Sequence, residues 1–432
     1  MASTSIRRAE TDPTNANATT ATFSVWFKRS KIGSYQTIYN HRYTNSYEFK
    51  FMMYNDDRLY VICTKSSTAM EFLTTRKFRD TNAWYHLVIA LDSTQATNTN
   101  RVKIYVNGVQ ETAFDTATYP SQNETLNLDG GGGYYNNIGS RGDGSSEYWD
   151  GSMSYFAKID GTQELPTIFG ETDSTTGEWK IKTTITPSSS WGNKPFFILK
   201  DGNSLTDQSG QSKDFSTYQG TLTKTEDNPS NVFATMNPLS KGSDISLSNG
   251  NTVVTNTQTS DQSIVGTIAC GNGKYYWEAK CTSNTSNYSN IGISLSSAYG
   301  GNHSQVDAGR IMWSSNGSLY REGLGLTSVS LGALGTNDII GVALDTENGT
   351  LKFYKGGVLI HTETNNSFLY SNNEYIPASG LRDGGGWNYN FGNGYFGSTQ
   401  ISSAGTNASG IGIFEYDVPT GYTSLSTKGL NL

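Results

Sequence analysis

Proline and cysteine are scarce in this chain, with 9 Pro and 3 Cys among 432 residues. Three cysteines cannot build a disulfide scaffold. Cys270 and Cys281 flank a Gly271-Asn272-Gly273 turn. If that turn is tight, Cys270 faces Lys274 and Cys281 lies far down the next strand, beyond the Cα separation a disulfide tolerates. Free thiols fit a chain assembled in a reducing cytoplasm. Charge is also thin, at 16% of residues, and it tilts acidic to a net −7. The basic clusters that replace counterions on nucleic acid are missing, which argues against a nucleic-acid partner. No apolar run reaches the roughly 18 residues of a membrane span. The start, Met1 to Arg8, has no apolar segment, so no secretory signal is expected. No long stretch repeats apolar residues at i, i+3, i+4 and i+7, so extensive helix is not expected.

What remains is rich in Gly (47), Tyr (26) and Phe (18), alongside abundant Ser, Thr and Asn. Aromatic and β-branched residues suit half-buried pleated surfaces, and Gly, Asn and Ser suit turns. The expected class is all-β. A signature appears twice. Ala90-Leu91-Asp92-Ser93 leads through a polar loop to Val102-Lys103-Ile104-Tyr105-Val106-Asn107-Gly108. Ala343-Leu344-Asp345-Thr346 leads likewise to Leu351-Lys352-Phe353-Tyr354-Lys355-Gly356-Gly357. Alternating side chains followed by Asn-Gly or Gly-Gly mark a hairpin. Two antiparallel β-sandwiches in tandem are therefore expected.

Strand patterns begin at Phe23, Val25 and Phe27, and continue through 36–41, 47–53, 58–63, 84–91 and 101–106. The second set runs from 245–248 to Trp387-Asn388-Tyr389. The expected division is an N-terminal extension (1–20), a first sandwich (21–160), an irregular connector (161–235), a second sandwich (236–397) and a small-residue tail (398–432).

The first half resembles the laminin-G-like, concanavalin-A-like lectin domain. Phe23-Ser24-Val25-Trp26-Phe27-Lys28, Trp84-Tyr85-His86, Ile138-Gly139 and Trp149-Asp150-Gly151 carry the resemblance. The second half resembles a SPRY domain through Tyr275-Tyr276-Trp277-Glu278, Asn290-Ile291-Gly292-Ile293, Ile340-Gly341-Val342-Ala343-Leu344-Asp345 and Asn390-Phe391-Gly392. Each resemblance implies a concanavalin-like, jelly-roll type sandwich. Phe169-Gly170-Glu171-Thr172-Asp173, Asn231-Val232-Phe233-Ala234 and Pro419-Thr420-Gly421-Tyr422 look like segments of lectin-like virion surface proteins from tailed phages of marine bacteria. That resemblance implies a virion protein, tail-associated or capsid-decorating, made in the host bacterial cytoplasm.

Catalytic patterns are sparse. Glucanase relatives of this fold carry Glu-x-Asp-x-Glu on one strand, and this sequence has none. Asp345-Thr346-Glu347 is read as a turn. His41, His86, His303 and His361 lack metal-ligand spacing, and His86 is read as a packing residue. Arg141-Gly142-Asp143 is read as a chance tripeptide. No cofactor is expected. The lectin-like resemblance leaves calcium open near Asp129, Asp143 and Asp150.

Aromatic loops are the stronger signal. Sugar rings have apolar faces that stack on Tyr and Trp, while their hydroxyls pair with Asn. Tyr134, Tyr135 and Asn137, and Trp387, Asn388 and Tyr389, are the glycan-binding candidates. In the tail, Ile411, Ile413, Phe414, Tyr416, Tyr422 and Leu425 are the candidate assembly contacts, because polar termini fray unless something holds them. A homo-oligomer, with a trimer favoured, and other virion proteins are the expected partners, with host surface polysaccharide as ligand. A polysaccharide-degrading tail enzyme and a capsid cement without a glycan site remain as alternatives.

Overall fold

The computed structural model describes residues 4–10, 19–128, 133–202, 204–284, 288–296, 309–322, 329–364, 369 and 373–432. His303 and Asp129 lie outside the described residues. The duplicated signature is a duplicated structure. Ala90 lies opposite Lys103 and Leu91 opposite Val102, just as Ala343 lies opposite Lys352 and Leu344 opposite Leu351. The turns that follow have two consecutive positive φ angles, 48° and 78° at Asn107-Gly108, 59° and 78° at Gly356-Gly357. That is the type I′ geometry whose twist matches paired strands.

The chain divides into two units, Met1–Lys224 and Thr225–Leu432. Among the described residues the first unit holds two large antiparallel sheets. One runs in the order Phe114–Thr118, Ser67–Lys77, Arg58–Lys65, Tyr47–Met53, Gln36–Thr44, Tyr134–Ile138, Ser5–Glu10, Ser216–Gln219. The other runs Phe196–Ile198, Gly151–Asp160, Thr20–Arg29, Trp84–Asp92, Val102–Val106, Val109–Gln110. Phe23, Tyr39, Phe49 and Phe51 fill the space between, with Phe23 ring centroids 5.0 Å from Tyr39 and 5.1 Å from Phe49.

The N-terminal segment is not an extension, because Ser5–Glu10 is a paired strand with Ile6 opposite Ile138. Nor does the segment after residue 160 only connect. Phe169, Ile185 and Trp191 cover the outer face of the six-stranded sheet, packing on Val88, Ala90, Ile159 and Phe197. This third layer explains why Thr20–Arg29 is buried along nearly its whole length rather than at alternate residues. Trp179 belongs to it. Its indole lies over Gly108, where an added Cβ would fall 2.5 Å from a ring carbon. Gly108 also has φ of 78°. Gly108→Ala is expected to destabilise this unit by about 1–3 kcal/mol, read as a lower thermal midpoint.

Among the described residues the second unit has a seven-stranded sheet, Met236–Lys241 to Val329–Ser330, facing an eight-stranded one. The latter runs Ile245–Ser248, Val253–Asn256, Gly386–Asn390, Lys274–Ser283, Ile339–Asp345, Thr350–Lys355, Val358–Thr364, with Thr423–Ser424 added in parallel to Lys274–Ser283. Trp277, Trp313, Trp387 and Tyr389 form its core, each 0% exposed. The cysteines are free and buried.

Candidate functional site

The Tyr134–Ile138 strand divides the candidates of the first unit between two faces. Tyr134 points to the same side as His41 and Tyr43. Its ring stacks 5.0 Å from His41 and 5.2 Å from Tyr43. His41 is fully buried beneath it, donating from Nδ1 to the Asn127 carbonyl at 2.9 Å. Burial, then the charge of Lys158, pushes the His41 pKa down to about 3, so the imidazole is neutral. Above it the side chains open to solvent. Tyr43 is 58% exposed and Tyr47 36%, with the Tyr47 hydroxyl 2.5 Å from Ser66. Burial and the neighbouring Tyr47 and Tyr43 push the Tyr134 phenol up. The result is a rim of three tyrosines at one end of the sandwich, seated on a rigid, buried base.

Tyr43 lies beyond the 36–41 strand read from sequence, since the observed strand runs to Thr44, and Tyr47 was read only as the start of its own strand. Continuing the observed register, in which His41 faces Asn136 and Arg42 faces Tyr135, brings Tyr43 opposite Tyr134. A register shift between Arg42 and Thr44 re-aims this end of the strand.

Tyr135 and Asn137 face the other way. Asn137 is buried, and Tyr135 lies beside Arg7 on the outer face of the sheet. The structure does not bring the second trio to a surface. Trp387 and Tyr389 are core residues, and Asn388 is half-buried against Gly397. Their strand lies inside a sheet and is covered on its apolar side, so the flanking glycines make a turn rather than a displayed loop.

The tail residues are also spent within their own unit. Phe414 and Tyr422 pack with Tyr276 and Ala343, and Leu425 joins the main core. Ile411, Ile413 and Tyr416 are half-buried. Assembly through Phe414, Tyr422 and Leu425 would require undocking them.

Arg141-Gly142-Asp143 is held by its neighbours. The Asp143 carboxylate pairs with Arg42 at 3.0 Å and approaches Arg141 at 3.7 Å, and Gly142 is pressed onto Asn40 and Arg42. Two guanidinium groups on that carboxylate oppose a cation there. Among the described residues no three or more His, Cys, Asp and Glu side chains are grouped as a metal ion would need.

Ser24 and His86 lie 2.9 Å apart, the spacing of a nucleophile and its base. Their hydrogen bonds rule that role out. The Trp179 indole N–H, a donor only, meets His86 Nδ1 at 3.0 Å. Nδ1 must therefore accept, so Nε2 carries the proton and donates to Ser24. Burial pushes the His86 pKa down to about 3, and the ring is stacked between Trp26 and Trp179. His86 is a packing residue. Asp345 caps its turn by accepting the Glu347 and Asn348 N–H groups at 3.0 and 2.9 Å. His361 lies 3.3 Å from Glu363, which is already held by Arg321.

Residues 5–165 match the family described as the concanavalin A-like lectin/glucanases superfamily, and residues 274–394 match the SPRY domain. The chain carries this pair of domains in tandem. The pair is of a binding type, lectin-like and SPRY. Among solved structures, it is similar to the SPRY domain of human HERC1, at 18% identity and TM-score 0.31, covering 36% of this chain and 96% of that one. It is also similar to stonustoxin, at 19% identity and TM-score 0.30, covering 36% of this chain and 27% of that one. A search of curated proteins returned no match.

Proposed function

We propose that this protein is a non-enzymatic, glycan-binding component of a phage virion surface, with the sugar held at the tyrosine rim of the first sandwich. The rim carries the reading. Tyr43 and Tyr47 offer exposed rings for pyranose stacking and phenolic hydroxyls for hydrogen bonds, and Tyr134, stacked between His41 and Tyr43, fixes the base beneath them. Aromatic side chains with one apolar body and one polar tip suit such a half-wet site. The tautomer imposed on His86 by Trp179 supports the non-enzymatic part. The placement on a virion rests on the resemblance of the 169–173, 231–234 and 419–422 segments.

Affinity gels containing neutral polysaccharides (a β-glucan, a dextran and a mannan) test the rim. Retardation by at least one is expected, and Tyr43→Ala is expected to weaken it about tenfold, the equivalent of ~1.4 kcal/mol. No retardation by any gel, or retardation unchanged in the Tyr43→Ala/Tyr47→Ala double variant, would sink the assignment. Immunogold labelling of particles tests the location, and unlabelled virions would overturn it.

A further inference from the structure

The opposite face of the same strand carries a different chemistry. Arg7, on Ser5–Glu10, lies between two tyrosines, with its guanidinium carbon 3.5 Å from the Tyr218 ring centroid and 4.5 Å from that of Tyr135. Both rings are outward, at 41% and 38% exposure. Nε donates to Asn137 Oδ1 at 2.6 Å, and Nη2 donates to the Gly142 carbonyl at 2.8 Å. Nη1 has no hydrogen-bond partner among the described residues. No carboxylate pairs with Arg7 there, whereas Arg42 and Arg141 share Asp143, and Lys50 is paired with Glu48 and Glu147.

A guanidinium is planar and always charged, and here its position is fixed by two neutral acceptors and two rings. Ordering such a side chain normally costs binding energy, and that cost has already been met by folding. An unpaired, preorganised cation beside exposed rings on a protein of net charge −7 is a local exception to the overall field.

We propose that Arg7, Tyr135 and Tyr218 form a second glycan site that takes an anionic sugar, with the sugar's carboxylate or sulfate at Nη1 and its ring against the exposed tyrosine edges. This deepens the glycan-binding reading and rests on it only for the broad ligand class. The two groups share one chemistry, a negatively charged oxygen pair or trio on a pyranose, and they are separated by experiment.

The full chain is tested on polygalacturonate, which carries only carboxylates, and on a carrageenan, which carries only sulfates. Binding to at least one is expected, weakening as salt rises because the contact is exposed and charged. Arg7→Gln is expected to weaken it at least tenfold. Tyr218→Ala removes one ring while leaving the Arg7 bonds to Asn137 and Gly142, and is expected to weaken it severalfold. If Arg7→Gln fails to fold, Tyr218→Ala decides. Binding to neither polymer, or binding that Tyr218→Ala and a folded Arg7→Gln leave unchanged, overturns the proposal. Tyr43→Ala should leave the anionic polymers bound. If instead Tyr43→Ala abolishes their binding and Arg7→Gln does not, the acidic chain lies on the tyrosine rim, and this site fails while the rim stands.

Discussion

Replacing Asp57 by Ala is expected to lower the stability of the first unit by about 3–5 kcal/mol, the usual cost of removing one partner of a buried ion pair. Asp57 is 2% exposed and Arg29 is 0%. Arg29 Nη1 donates to Asp57 Oδ1 at 3.0 Å and to the Phe78 carbonyl at 2.6 Å, while Nη2 reaches Gln36 at 3.3 Å. Asp57 also accepts the Gly33 N–H at 2.7 Å and Arg79 Nε at 3.1 Å. One carboxylate thus closes three loops around a cation that water cannot reach. Without it the Arg29 charge stays buried and uncompensated, and the Gly33 N–H loses its acceptor. Asp57→Asn keeps the shape but not the charge, so most of the loss should persist. Burial alone would raise the Asp57 pKa, but the Gly33 N–H and the two arginines hold it below the ordinary value. A depressed acid stabilises the fold above its unfolded pKa and loses that contribution as pH falls. The wild type should therefore lose stability in acid below about pH 4, and the variant should lose less there. Urea unfolding followed by a probe in each unit checks this. The second unit's transition should not move, and an unchanged first transition would refute the role given to the pair.

Much of the fold was legible because a few residues carry unambiguous local geometry. Asn107-Gly108 and Gly356-Gly357 can scarcely be anything but type I′ turns, and each fixes the register of the strands around it. Tyr47–Met53 and Ile245–Ser248 alternate cleanly enough to be bounded from sequence. The strand Ser67–Lys77 was missed, because Met70, Phe72 and Leu73 are its only large apolar residues and its other face is polar and partly wet. The third layer was read as a connector because its strands, Gly170–Thr172 and Trp179–Ile181, are three residues long, too short for any period to show. Its apolar residues mean something only beside the sheet they cover. The tail failed for the same reason. Phe414, Tyr422 and Leu425 have no shared spacing, since they anchor an irregular segment at separate points. Of the two proposed sites, Tyr134, Tyr135 and Asn137 were singled out from composition and turn context. Their division between two faces, and the approach of Arg7 and Tyr218 from far along the chain, depend on strand order and could not be read locally.

That strand order also sets the second large effect, at Glu278. Its side chain is 0% exposed at the centre of the Lys274–Ser283 strand. Oε1 accepts from the Tyr276 hydroxyl at 3.1 Å and the Tyr416 N–H at 2.9 Å. Oε2 accepts from the Glu415 N–H at 2.9 Å and Asn390 Nδ2 at 3.3 Å. Two of these donors are tail backbone, so the carboxylate pins the tail where Phe414, Val418 and Tyr422 cover Tyr276. Glu278→Ala leaves several buried donors without acceptors and is expected to cost about 3–5 kcal/mol, with the tail newly open to protease. Gln is no rescue. Each oxygen receives a backbone N–H, and the Gln amide would turn its NH2 toward one of them. Truncating the chain at Ser398 should destabilise the second unit for the same reason. Burial pushes the Glu278 pKa up to about 7, against the pull of its four donors. A raised acid favours folding in its protonated form. Stability of the second unit should therefore be greatest below about pH 4.5, fall as pH rises toward 7, and level off above it. Unfolding at pH 5 and pH 8 measures the difference, which should shrink in Glu278→Gln. Greater stability at pH 8 in the wild type, lost on substitution, would mean that the four donors outweigh burial and that the tail is held by a permanent carboxylate.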